Sequence, residues 1–143
     1  MPRFFFETDA GAACPIEFGG DADVLAAFLS FAFATRYGAQ HPLSALALHL
    51  RATYKIDLKP LTFFADRKAL DDADRADQEA AWQDAAPLAE TLRSVVAALE
   101  SNDDRIPDMT EETPDLLPRL RDLRDMAAWA AARDARSRMM FEL

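Results

Sequence analysis

"RFFFET", residues Arg3 to Thr8, is the stretch on which the fold turns. Three adjacent phenylalanines between a charged residue and a threonine read as a short β-strand covered on both faces. The chain closes on a near copy, "RMMFEL", Arg138 to Leu143. A strand at each terminus, paired in one sheet, joins the two ends and gives the segments between them a surface to pack on. Those segments are mostly helical by pattern. The expected architecture is therefore α+β, mostly helical, with four to five helices packed on a small sheet. At 143 residues the chain fits one compact domain, 1–143, able to bury a core without staples.

Inward from the first strand, "DAGAACPIEFGGD" carries turn punctuation at Gly11, Pro15 and the Gly19-Gly20 pair. Asp21 or Asp23 then caps a helix that runs to about Arg36 and ends at Gly38. Its core, "VLAAFLSFAFA" from Val24 to Ala34, is apolar nearly all round and belongs at the centre of the fold. Eleven helical residues span roughly 16 Å, about half a bilayer, so this is a buried helix and no membrane anchor. The opening "MPRFFFETD" is acidic by residue 7 and does not read as a secretory signal.

Pro42 starts a second helix, with Leu43, Leu46 and Leu50 at helical spacing to about Ala52. From Thr53 the period changes to two. Tyr54, Ile56 and Leu58 alternate with Lys55, Asp57 and Lys59 before Pro60, which predicts a strand or an extended segment, and "LTFF" (Leu61 to Phe64) continues it as extended structure. Residues 67–84 and 87–100 read as a helical pair, the second carrying the stripe Leu88, Leu92, Val95, Val96 and Leu99. An acidic loop, "SNDDRIPDMTEETP", follows. Thr113 then caps a long last helix with Pro114 at its first position, and Leu116, Leu120, Leu123, Ala127 and Ala130 repeat along it. Its arginines interleave with acids at spacings that neutralise locally.

Charge is unevenly distributed. Residues 66–112 hold 14 acids against 5 bases, while both flanks are near neutral, so the net charge of −9 resides in the middle third. Phosphates are repelled by such a surface, which argues against nucleic acid and for a basic protein partner. The densest run is "DDADRADQEAAWQD", Asp71 to Asp84. On a helical wheel Ala69, Ala73, Ala76 and Ala80 form one stripe, suited to the close approach of a neighbouring helix. Asp72 and Glu79 border it on one side, Asp77 and Asp84 on the other. Trp82 lies away from the stripe. It is either an aromatic anchor rimmed by carboxylates or a side chain folded back over the Asp84–Pro87 turn.

Metal chemistry fits poorly. Read as a calcium loop from Asp72, the run has Asp77 where glycine belongs and Gln83 where glutamate belongs. The only histidines, His41 and His49, stand beside no Glu-x-x-His motif. The single cysteine, Cys14, excludes an internal disulfide and a cysteine zinc cage, and a reducing, cytoplasmic setting is the simplest. No phosphate-cradling loop, dinucleotide fingerprint or nucleophile elbow is present, and nothing calls for a cofactor.

The leading expectation is a non-enzymatic acidic protein that binds a basic protein partner, with the charge and size profile of toxin-neutralising (immunity or antitoxin-like) proteins. Asp71, Asp72, Asp74, Asp77, Glu79 and Asp84 would steer the encounter and Trp82 would anchor it. The alternative is a small hydrolase or transferase using Cys14 or His41/His49 with a carboxylate such as Asp57. A third reading is a homodimeric regulatory or assembly subunit that pairs through its alanine-rich helices. Abundant alanine and arginine over lysine suggest a GC-rich, bacterial genome.

Overall fold

A computed structural model describes residues 3–33 and 41–142. The two terminal segments are strands: β1 (Arg3–Thr8) and, at the other end, Arg136–Glu142. They pair antiparallel over the full length of β1, from Arg3 opposite Glu142 to Thr8 opposite Ser137. The ladder is locked at its open end by Asp9. Its carboxylate accepts from the Arg136 backbone N–H at 2.7 Å and from Arg136 Nε at 3.0 Å. Those two bonds hold the Asp9 carboxyl below its ordinary range.

Between these strands run α1 (Asp23–Phe33), α2 (Pro42–Ala52), β2 (Phe64–Asp66), α3 (Asp72–Ala80), β3 (Gln83–Asp84), α4 (Ala85–Leu99), α5 (Ile106–Thr110) and α6 (Leu116–Ala131). The last strand, β4 (Arg136–Glu142), is the hub of the sheet. It takes β1 along one edge, and β2 (parallel) and β3 (antiparallel) along the other. The fold is thus α+β, mostly helical, with the terminal strands paired.

The helices pack where their apolar stripes are bulky. Leu25, Phe28 and Leu29 of α1 are fully buried. Its expected end at Arg36 to Gly38 lies outside the described residues. All five positions of the α6 repeat, Leu116 to Ala130, are buried, and so is the whole α4 stripe. These two helices form the main helix–helix contact. Met139 and Phe4 bring the inner face of the sheet into the same core. Because Ala127 and Ala130 are internal, the alanine-rich face of α6 is already used within one copy. At its end α6 reverses through Asp134, whose φ of 53° is one an Asp side chain tolerates, and enters β4 directly.

Three expectations need correction. The alternating segment after α2 is not a strand. Tyr54 and Ile56 are half-buried and Leu58 buried, but the chain bends at Lys55 (φ 56°) and closes in a 3₁₀ turn, Lys59–Thr62. Alternation there records which side chains face the core, and none of the described strands pairs with it. The acidic loop contains the short helix α5, anchored by buried Ile106. α6 begins at Leu116, two residues beyond Pro114, with Thr113 contributing its carbonyl to the Leu116 N–H and no side-chain cap. Pro118 then occupies the first turn, where its missing N–H has no intrahelical partner to lose.

Candidate functional site

α3 forms because its N-terminus is closed reciprocally. Asp71, extended at φ −149°, accepts from the Asp74 N–H at 2.9 Å. The Asp74 carboxylate in turn accepts from the Leu70 N–H at 2.8 Å. Both acids also sit where the helix dipole favours negative charge. Helix begins at Asp72, not residue 67, and ends at Ala80, with Gln83 and Asp84 leaving as β3.

The orientation of α3 overturns the expected alanine seam. Ala73, Ala76 and Ala80 are exposed, and no residue of the helix is buried. The docked side is the opposite one. Gln78 Nε2 donates to the carbonyls of Asp66 (3.0 Å) and Arg67 (2.9 Å) at the end of β2, while Gln78's own carbonyl accepts from Arg138 at 3.3 Å. Ala81, just past the helix, is 2% exposed. Trp82 is half-buried against the outer face of β4, with the Arg138 guanidinium 4.6 Å and that of Arg136 5.5 Å from its ring. It is therefore neither a free anchor nor a core residue; it packs beneath two arginines.

The expected partner-facing residues divide accordingly. Asp71 and Asp74 are engaged in capping. Asp72 meets Arg75 at 2.7 Å in an exposed ion pair of small energetic weight. Asp77 and Glu79 are exposed and have no cation or hydrogen-bond donor among the described residues. Asp84 lies off the helix, opposite Arg136 in the β3–β4 ladder. Among the described residues, the ion pairs of the α6 and β4 arginines go to other acids. Arg119 pairs with Asp122, Arg124 with Asp125 and Glu100, Arg136 with Asp9, and Arg138 with Glu7. Beyond the wheel sits Leu70, 89% exposed at the foot of α3.

The acids of the middle third do not form one surface. α4 separates Asp71–Asp84 from Asp103–Glu112 by its length, about 22 Å for its fifteen residues. The far group contains the site that sequence spacing missed. His49, buried near the end of α2, brings Nε2 to 2.6 Å from Asp103 Oδ2. Tyr54 Oη donates to the same oxygen at 2.8 Å, and the Arg105 N–H to Oδ1 at 2.9 Å. These bonds, His49's first, draw the Asp103 carboxyl down to about 2. A carboxylate only accepts, so Nε2 carries the proton, and in the neutral ring Nδ1 accepts from the Thr53 hydroxyl 3.1 Å away. Thr53 opens onto a cleft of about 440 Å³, walled by Leu48, Arg105, Asp108 and Met109.

The remaining chemical candidates stand apart from this pair. His41 caps α2, accepting from the Leu43 N–H at 3.1 Å, and stacks on Phe31. Asp57 accepts from the Lys59 N–H in a turn. Cys14 lies half-buried beside β1. Thus Asp103, and not Asp57, is the acid that meets a histidine; 54 residues separate the two, and no local motif announces them. Among the described residues no three His, Cys, Asp or Glu side chains gather as metal ligands, and no helix is long and apolar enough to cross a membrane. Comparison with protein-family models, curated proteins and solved structures finds no match for this chain.

Proposed function

We propose that this chain is a non-enzymatic binding protein that engages a basic protein through α3, in the manner of a toxin-neutralising protein. One observation carries the reading: α3 turns its apolar stripe outward. Ala73, Ala76 and Ala80, with Leu70 nearby, face water between the carboxylates of Asp72, Asp77 and Glu79. An alanine stripe lets a partner backbone approach closely, and the rim, in which Asp77 and Glu79 have no cation of their own among the described residues, attracts positive charge during the encounter. Trp82 acts from behind, holding α3 to β4.

Reversing Asp72, Asp77 and Glu79 to lysine tests the reading. With the immobilised full chain as bait in lysate of its own cells at low salt, the wild type retains a basic protein and the triple variant loses it. Against that purified protein, the reversal slows association at low salt and matters less at high salt. Equal capture by both baits, or an association rate indifferent to charge and salt, refutes it.

A second reading, hydrolase or transferase chemistry, draws on the order Thr53–His49–Asp103. It places a hydroxyl, a base and an orienting acid in sequence beside a cleft. Hydrolysis of activated esters by the wild type, lost in both His49→Gln and Thr53→Val, would support it; a rate equal to buffer for the wild type would end it.

A further inference from the structure

We infer that β1 is the contact edge of a homodimer, in which two copies join their sheets by antiparallel pairing of "RFFFE", Arg3 to Glu7. β1 stands at the edge of the sheet, bonded on one side only. Asp9 N–H donates to the Arg136 carbonyl at 3.2 Å, which sets the phase of the ladder. By alternation, the backbone groups of Arg3, Phe5 and Glu7 face β4, while those of Phe4, Phe6 and Thr8 face outward. None of these outward groups has a backbone partner among the described residues. Beside this edge lies a groove of about 560 Å³ lined by Phe4, Phe6, Cys14, Ile16, Phe18 and Met126.

Charge and register together select a second copy as the occupant. The stretch carries one cation and one anion placed symmetrically about Phe5. A two-fold axis through Phe5 sets Arg3 opposite Glu7 of the partner subunit, and Phe4 opposite Phe6 of the partner subunit in a bonded pair. Arg3 is exposed and has no ion-pair partner among the described residues. Glu7 spends only Oε2 on Arg138, at 2.6 Å, leaving Oε1 for the incoming cation. The other registers that keep bonded pairs together are poorer. Centring on Phe6 sets Glu7 against Phe5 of the partner subunit, and centring on Phe4 sets Phe6 against Pro2 of the partner subunit, which has no N–H. The edge lies across the sheet from β2, where α3 docks, so the dimer leaves both copies of α3 open.

The test is the association state of the full chain, followed by light scattering during sizing over a dilution series. A dimer that dissociates on dilution is expected. Arg3→Glu replaces two attractive pairs by two repulsive ones and weakens the dimer about tenfold at low salt; because residue 3 lies opposite Glu142 in the ladder, circular dichroism checks that the fold is kept. On the axis, Phe5 meets Phe5 of the partner subunit at a non-bonded position, with Cα atoms about 4.5 Å apart, within disulfide range. In a Cys14→Ser background, Phe5→Cys therefore cross-links the dimer on oxidation, whereas Ala73→Cys on α3 does not. A monomer at every concentration overturns the inference. So does a dimer indifferent to Arg3→Glu, or cross-linking equal at both cysteine positions.

Discussion

α3 and α4 are neighbours joined through Gln83 and Asp84, and each carries an apolar stripe on one side. In α4 the stripe is leucine and valine, nine residues of the helix are buried, and the stripe faces α6. In α3 the stripe is alanine, no residue is buried, and the stripe faces water. Burial of a leucine side chain yields about 2 kcal/mol, a methyl group about 0.8 kcal/mol. Three exposed alanines are thus outweighed by two Gln78 hydrogen bonds, the burial of Ala81 and the partial burial of Trp82. Small residues mark where a helix can be approached; they do not set which way it turns.

The two helices should differ most in the core. Leu92→Ala in α4 should cost about 3 kcal/mol in chemical denaturation, whereas Ala76→Lys in α3 should stay within about 0.5 kcal/mol. A comparable loss from both would mean that the alanine stripe is covered.

Acid sharpens the contrast at the far end of α4, where a carboxylate is structural. Asp103 falls from its ordinary 3.8 to about 2 in the fold. Its stabilising contribution is present above about pH 4 and is lost as pH drops through about 2, because the unfolded chain takes up the proton first. The gap in Tm between wild type and Asp103→Asn should accordingly be flat above pH 4 and close between pH 4 and 2. A gap that persists undiminished at pH 2 would show that the carboxylate's charge contributes nothing.

Gln78→Ala is the subtler probe. Losing its two bonds to the end of β2 should cost about 1 kcal/mol and raise hydrogen exchange across α3, while the amides of α4 keep their protection. Smallest is the effect of Asp77→Lys with Glu79→Lys on stability, within about 0.5 kcal/mol, since neither has a partner among the described residues to lose. That near-neutrality makes the pair suitable for the binding test.

Much of the fold was legible in local pattern. "RFFFET" ends as a strand at the residues where its composition begins and stops, and its likeness to the C-terminus reflects true pairing. The stripes of α4 and α6 were readable because bulky side chains at helical spacing have only one favourable place to go. The candidate sites were less legible. His49 and Asp103 meet through the approach of α2 to the α4–α5 connection, which no spacing encodes. Trp82 found its arginines because β3 and β4 pair in one particular register.

Sequence by itself thus determined the α+β class, the joined termini, the bulky core stripes and the excess of negative charge in the middle third. Tertiary structure alone decided that this charge divides between the two ends of α4, that α3 shows its alanines to solvent, and that His49 takes Asp103 as its acid. The physical reason is one of range. Periodicity and capping act within a few residues and a large side chain repeats its preference wherever it occurs. Carboxylates, alanines and a lone imidazole have weak local preferences, so distant backbone and side-chain partners settle where they point.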